Sequence, residues 1–314
     1  MLAVMTPQQF RIGSYNLFEG AQTTYNRLVE FARDAALDVL CLQEVNGWQN
    51  DDAQRCKDFS DKILFLDFSL ANTNTEYKIA TFTKHAATHK GALVEGFWHG
   101  AAVATVKIGE IEVTIVNLHL DPWKEESRVR EVGRLLEMVD LTKPTIIVGD
   151  FNSLSRDDNY PPNFVEQLRT AGIAKFGAQQ LFFDVTDKLR AAGLVDVATQ
   201  LGVHENTVPS NFSTDKDHEL PVRIDYIFAT PDLAKQAVKI EVLKNELTDA
   251  ISDHYPLVTT FQFGEAPSAP APVVAPPPQQ GPPPEPPMPD DAAGIHQEAD
   301  GSVVLPLHLH DHNA

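Results

Sequence analysis

The side chains best suited to chemistry in this chain stand where apolar runs stop. Thr145 to Ser153 reads T-I-I-V-G-D-F-N-S: a short β-branched run, a glycine that frees the backbone, then Asp150 and Asn152. Side chains two apart in an extended segment share a side, so Asp150 and Asn152 face one way and Phe151 turns into the core. Alone, the pair fits equally a loop in which Asp and Asn hydrogen-bond their own backbone. The same ending recurs along the chain. Asn16 closes R-I-G-S-Y-N-L, Glu44 closes D-V-L-C-L-Q-E-V, and Asn117 with His119 ends I-E-V-T-I-V-N-L-H-L. Asp225 lies in V-R-I-D-Y-I-F-A, and Asp253 and His254 are adjacent in I-S-D-H-Y-P. A lone Asn or His of this kind is more often a turn cap or a structural hydrogen bonder. A glutamate closing an apolar strand, however, costs desolvation unless it is paired or binds a cation. Taken together, oxygen ligands without thiolates suit Mg²⁺ or Mn²⁺, and Mg²⁺ in particular takes few protein ligands and completes its shell with water and substrate phosphate.

Such residues act together only if several strands bring their ends to one place. The alternation predicts strands over Arg11–Leu17, Asp38–Val45, Tyr77–Thr83, Ala92–Phe97, Ala101–Lys107 and Ile111–Leu120, the last two joined by a tight I-G-E hairpin. Val222–Ala229 is a further strand, and Lys239–Leu243 is expected to pair with Pro256–Phe263. Asn211–Thr214 is expected to precede another short one. Helical spacing follows Thr23 or Thr24, covers Asp51–Leu64 and Pro162–Ala171, and runs over Val185–Leu201 with a break at Gly193. Between Glu125 and Leu141, Val129, Val132, Leu135, Leu136 and Val139 form one apolar face, with Arg128, Arg130 and Arg134 off it.

Composition divides the 314 residues into a core-forming domain, 1–264, and a tail, 265–314. From Ala266 proline, alanine and glutamine dominate, and no Lys or Arg follows. A segment so poor in large apolar residues is expected to stay disordered, as an extended spacer able to recruit a protein partner. His308, His310 and His312 alternate in its acidic end, a pattern compatible with metal chelation but more simply a solvated terminus. The net charge is −19; without the six acids that follow Ala266 the remainder keeps 38 acidic against 25 basic residues. A surface of that sign disfavours long-range attraction to duplex nucleic acid. Cys41 and Cys56 lack metal-type spacing and give no disulfide scaffold. The first residues have no basic region ahead of an apolar stretch, and no run reaches the roughly 20 apolar residues of a membrane span. The expected location is therefore the cytoplasm.

The motifs S-Y-N, L-Q-E, N-x-H, G-D-F-N, R-I-D-Y and S-D-H-x-P, in this order from Ile12 to Phe263, resemble those of the endonuclease/exonuclease/phosphatase superfamily. The resemblance implies an α+β fold, two mixed β-sheets packed as a sandwich with helices on both outer faces. It also implies Mg²⁺-dependent hydrolysis of phosphoesters, with Mn²⁺ a possible substitute. By the same resemblance Glu44 is the principal metal ligand, Asn16 orients metal or phosphate beside it, and Asp253 is a second metal contact or a member of the water network. Asp150 positions or deprotonates the attacking water, Asn152 and His119 contact phosphate, and His254 binds phosphate and acts as general acid or electrostatic stabiliser with Asp225 on its ring. Glu76 would support His119. The loop before R-I-D-Y carries only Phe212, unlike the aromatic loop of abasic-site endonucleases, which argues against DNA repair. The substrate is a small, lipid-linked or nucleic-acid phosphoester. The alternative is a catalytically silent binding module of the same fold that recruits a partner through its proline-rich tail.

Overall fold

The computed structural model describes residues 8–212 and 215–264. The proline-rich segment with His308, His310 and His312 lies outside the described residues. In chain order the elements are β1 (Gln8–Asn16), α1 (Tyr25–Asp34), β2 (Val39–Gln43), α2 (Asn50–Ile63), β3 (Asp67–Ala71) and β4 (Ile79–Thr83). Next come β5 (Ala87–Leu93), β6 (Gly100–Ile108), β7 (Ile111–His119), α3 (Glu125–Met138), β8 (Thr145–Asp150), α4 (Phe164–Ala171) and α5 (Asp184–Ala191). The last are β9 (Val195–Asp196), α6 (Val197–Gln200), β10 (Asp225–Ala229), α7 (Pro231–Ala234), β11 (Ala237–Val242) and β12 (Leu257–Phe263).

The strands form two six-stranded mixed sheets, ordered β11-β12-β1-β2-β4-β3 and β5-β6-β7-β8-β10-β9. Each has a parallel pair at its centre, β1 with β2 and β7 with β8, joined by a helical crossover, α1 or α3. Period-two alternation separates the layers. Phe10, Ile12, Val39 and Cys41 of the first sheet meet Val113, Ile115, Ile146, Val148 and Ile227 of the second in one buried core. The intervening Tyr15, Leu40 and Leu42 face outward and are covered by α1 and α2 through Leu28, Phe31 and Phe59. On the other side Leu118, Ile147, Phe151 and Phe228 are covered by Val132 and Leu135 of α3 and by Val185 and Leu189 of α5. The result is a sandwich with helices on both outer faces.

The inward parity is what makes the site. Following Phe10 and Ile12 by twos gives Ser14 and Asn16; following Val39 and Cys41 gives Gln43; following Val113 and Ile115 gives Asn117 and His119. Ile146 and Val148 lead likewise to Asp150. The space between the sheets is thus apolar along most of its length and polar at one end. Register aligns those ends: Asn16 pairs with Gln43, and Asp150 lies between His119 on β7 and Asp225 on β10. Gly149 permits this close alignment. Its φ is +139°, and a Cβ there would stand 2.0 Å from the carbonyl oxygen of Leu118.

Several expectations change. The strand expected at Ala92–Phe97 runs instead from Ala87 to Leu93, because Gly96, at φ +83°, turns the chain and Phe97 N donates to Val94 O. Its residues A-T-H-K-G-A-L are exposed or half-buried and lack an apolar alternation, so hydropathy hides it. β3, D-F-S-L-A, has no counterpart among the expected strands. The break at Gly193 is present, but the next elements are the two-residue β9 and then α6, whose first turn is capped by Asp196. Strand β10 begins at Asp225; Val222 makes only an isolated bridge to Val208, and a 3-10 turn at Lys216–His218 stands where a short strand was expected. The I-G-E hairpin is present, with Ile108 paired to Ile111. No described helix is long and apolar enough to cross a membrane.

Candidate active site

At the polar end of the sandwich a cavity of about 300 Å³ opens, with Glu44, His119, Asp150, Asn152 and Asp253 in its wall. Asn16, Asp225 and His254 stand directly behind that wall. Asn16 ties two strands' carboxylates together: its Nδ2 donates to Glu44 Oε1 at 3.1 Å and to Asp150 Oδ2 at 3.0 Å. Its Oδ1 accepts from Phe18 N, which fixes the orientation of the amide. Asn16 therefore holds the two carboxylates, and one lone pair of its oxygen is engaged by the main chain. Glu44 also accepts from Glu19 N. Glu44 and Asn152 both have left-handed backbone, φ +57° and +50°, a conformation that costs a non-glycine residue on the order of 1 kcal/mol and is found disproportionately at functional sites.

Asp150 is the hub. Its Oδ1 accepts from Asn152 N, while its Oδ2 lies 3.3 Å from His119 Nε2 and 3.7 Å from His254 Nε2. Burial pushes the Asp150 carboxyl up, but His119, His254 and His218 outweigh it and hold the group below the usual carboxylate range, as an anion. His254 Nδ1 donates to Asp225 Oδ2 at 2.8 Å. Burial opposes charge on that ring, yet Asp225, Asp253 and Asp150 prevail and raise it to about 10. His119 goes the other way: burial, only partly offset by Asp150, lowers it to about 4, so it is neutral. Its Nδ1 has no hydrogen-bond partner and its ring stacks on His99 at 4.2 Å between centroids. The expected support from Glu76 is absent, because Glu76 is exposed to solvent and the His119 Nδ1 it would serve stays without a partner. Asn117 shares the inward face with His119, but it bridges the sheets, accepting from Gln43 Nε2 and donating to Leu42 O and Ala80 O.

Residues 13–254 match the Endonuclease/Exonuclease/phosphatase family. The chain belongs to this family. No curated protein matches the sequence. Among solved structures, an AP endonuclease from Archaeoglobus fulgidus is similar at 18% identity and a TM-score of 0.59, covering 80% of this chain and 99% of that one. The 3' phosphatase NExo from Neisseria, bound to product DNA hairpin, aligns at 16% identity and TM-score 0.58, with 80% and 99% covered. Truncated TDP2 from Caenorhabditis elegans aligns at 17% and 0.55, with 81% and 97% covered. At these identities the likeness is one of fold.

Endonuclease/exonuclease/phosphatase members are generally phosphoester hydrolases and typically depend on a divalent metal, and the donor set here fits one. The cavity wall carries six carboxylates (Glu19, Glu44, Asp150, Asp215, Asp217, Asp253) against a single lysine or arginine among the described residues, Lys175, whose burial pushes its pKa down. Burial, with the charge of Asp253 added and despite the Glu19 N–H, pushes the Glu44 carboxyl up to about 7. That is a carboxylate short of a positive neighbour. Two tighter groups, His218/Asp253/His254 and Asp150/Asp225/His254, have ligand atoms within 4.8 Å of one another. Both require His254, whose Nδ1 is engaged by Asp225 and whose ring is cationic. Carboxylate oxygens, of which those of Glu44, Asp150 and Asp253 stand in the same wall, are the harder donors.

Lys175 and His218 carry no signal in the strand-end pattern of the sequence. Lys175, buried in a loop after α4, donates to Asn152 Oδ1 at 3.3 Å and to His218 Nε2 at 3.0 Å; His218 Nδ1 in turn donates to Asp253 Oδ2 at 2.9 Å. A lysine has no acceptor, so this contact fixes which end of the Asn152 amide is oxygen, and Nδ2 points to Leu120 O. The one available signal is Lys175's setting in I-A-K-F, whose Ile173 and Phe176 are both buried.

Proposed function

We propose that this protein is a divalent-metal-dependent hydrolase of phosphoester bonds, with Mg²⁺ the expected cation. The observation that carries the reading is the Asn16 amide spanning Glu44 and Asp150 in a cavity walled by six carboxylates, an arrangement that admits a phosphate only together with a cation. Glu44 and Asp253 would hold the metal, with Asn16 keeping Glu44 in place; the ion would supply charge neutralisation and Lewis acidity at phosphorus. Asp150, kept anionic, accepts a hydrogen bond from the attacking water and aims it. The water oxygen bonds to phosphorus, the ester P–O bond breaks, and the water's protons are shared between the two products. His254⁺, braced by Asp225, lends positive charge behind Asp150 as negative charge builds on the phosphoryl oxygens. Neutral His119 and the amide of Asn152 face the phosphate. The test is a panel of phosphomonoesters, phosphodiesters and single- and double-stranded nucleic acids, each with Mg²⁺, with Mn²⁺ and with EDTA. Turnover should require the metal, and Glu44→Gln should raise the Mg²⁺ concentration needed for half-maximal rate at least roughly tenfold. No metal-dependent turnover on any ester would sink the proposal and favour the silent binding module.

Lys175 adds a phosphate contact to this scheme. Two of its three N–H groups are used by Asn152 and His218, which leaves one for a ligand at the cavity wall. Losing a charged donor of this kind costs about 1.5–3 kcal/mol. Lys175→Met should therefore lower kcat/KM about 10- to 100-fold and weaken inhibition by inorganic phosphate in parallel. Unchanged phosphate inhibition would make Lys175 a structural group only.

A further inference from the structure

The cavity mouth carries an aromatic feature that phosphoester hydrolysis alone does not use. Trp98 and Trp123, 47% and 58% exposed, are the large aromatic side chains left most open to solvent among the described residues, and both line this cavity. They belong to different loops, before β6 and before α3, yet one buried carboxylate fixes both. Glu131 of α3 accepts from Trp98 N at 2.5 Å and from Asp121 N at 2.9 Å, and Asp121 Oδ1 accepts from Trp123 N at 2.7 Å. The main chain under each indole is thus held rigidly while the ring itself is left without burial. Rigid, solvent-open aromatic rings beside a polar pocket are what a stacking site requires, because the ordering cost has been met before the ligand arrives.

Charge narrows the ligand. Glu19, Asp215 and Asp217 share the cavity wall, so a substrate with further phosphates flanking the reacting one would meet carboxylates on the way in. An anionic membrane surface would meet the same repulsion. We propose that Trp98 and Trp123 grip a flat ring borne by a phosphoester with a single phosphate, so that the substrate class is a ring-bearing, mononucleotide-sized or aryl ester rather than a polynucleotide or a lipid bilayer. The inference rests on the hydrolase reading but stands on its own observation, two fixed and exposed indoles.

The test uses the full chain with Mg²⁺ and three diesters that release the same p-nitrophenolate: methyl, phenyl and thymidine-5′ p-nitrophenyl phosphate. Their shared leaving group confines differences to recognition of the second substituent. The esters whose second substituent is also a ring should exceed the methyl ester in kcat/KM by about tenfold or more. In Trp98→Ala and Trp123→Ala that ratio should fall toward one, with Trp→Phe at either position restoring part of it. A larger advantage for thymidine identifies a nucleobase, and a larger one for phenyl an aryl group; either supports the proposal. Tryptophan fluorescence gives a readout independent of turnover, since Trp48 is buried and only the two mouth tryptophans are accessible. Thymidine 5′-phosphate or phenyl phosphate should quench it where methyl phosphate does not. No quenching by either ring overturns the proposal while the hydrolase reading stands, whatever the ratio of kcat/KM, because the p-nitrophenyl ring is common to all three esters. Sedimentation with phosphatidylcholine vesicles that is lost in the alanine variants overturns it as well, by assigning the indoles to a membrane. Absence of turnover on all three with quenching intact fails the hydrolase reading and keeps the ring-binding site.

Discussion

Replacing His254 with alanine is expected to lower turnover about 10³-fold, the loss typical of removing one preorganised positive donor from a buried site. His254 Nε2 stands 3.7 Å from Asp150 Oδ2, just behind the cavity wall, and its other nitrogen is held by Asp225 at 2.8 Å. Its charge is therefore fixed next to the place where phosphoryl oxygens become more negative. Because alanine also leaves a hole in a fully buried position, His254→Gln is the needed companion: it fills most of the space and removes only the charge. Both should show unchanged circular dichroism in the far ultraviolet and similarly low kcat. Folding with a rate within about threefold of the native enzyme would remove His254 from the mechanism.

The same residue predicts a pH dependence with a definite sign. Its folded-state value, about 10, lies above the ordinary 6.5 of histidine. The group's contribution to stability is therefore complete below about pH 6.5 and is lost as pH rises toward and through 10. Activity that needs the imidazolium should hold across neutral pH and fall on the same alkaline limb. Asp225→Asn removes the strongest opposing charge, so the limb should move down toward neutrality while the low-pH side stays where it was. An alkaline limb unmoved by Asp225→Asn would show that another group sets it.

Strand ends are legible in the sequence because their signal is local. In β1, β2, β7 and β8 the alternation that sends Ile12, Cys41, Ile115 and Val148 into the core also dictates that Asn16, Gln43, His119 and Asp150 face the same gap. Eight of the nine singled-out residues accordingly meet at the polar end of the sandwich, while Asn117 bridges the two sheets. Whatever depends on the third dimension is not legible in this way. The motif S-Y-N points Asn16 at the metal or phosphate, but only the positions of Glu44, Asp150 and Phe18 N reveal that its amide nitrogen also holds two carboxylates together. Lys175 and His218 come from loops with no periodicity, and their chemistry arises from packing against Asn152 and Asp253. The edge strand β5 escapes hydropathy because a half-exposed edge needs no apolar alternation. Arg128 is set off the apolar face of α3 by helical spacing, and it is in fact wholly buried.

That burial leads to the largest stability effect expected. Arg128 Nε donates to Glu125 Oε2 at 3.0 Å, Nη1 to Asp121 O at 2.9 Å and Nη2 to Lys175 O at 2.6 Å. Glu125 meanwhile accepts from Ser153 Oγ at 2.6 Å and from Val185 N at 3.2 Å. One guanidinium thus joins α3 to the loops that carry Trp123 and Lys175, and through Glu125 to the strand end after Asn152 and the start of α5. Arg128→Met keeps much of the volume but leaves Glu125 buried without its counter-charge, and breaking a buried pair this way costs about 3–5 kcal/mol. At roughly 2–4 °C per kcal/mol for a domain of this size, the melting temperature should fall by about 10 °C. Lysine at the same position keeps the charge but has a single nitrogen and cannot reach three acceptors in a plane, so Arg128→Lys should recover only part of the loss. The double variant Glu125→Gln/Arg128→Met removes the stranded charge, and its destabilisation should be smaller than the sum of the two single effects. If Arg128→Met melted within about 2 °C of the native protein, the guanidinium would be a passenger of the fold.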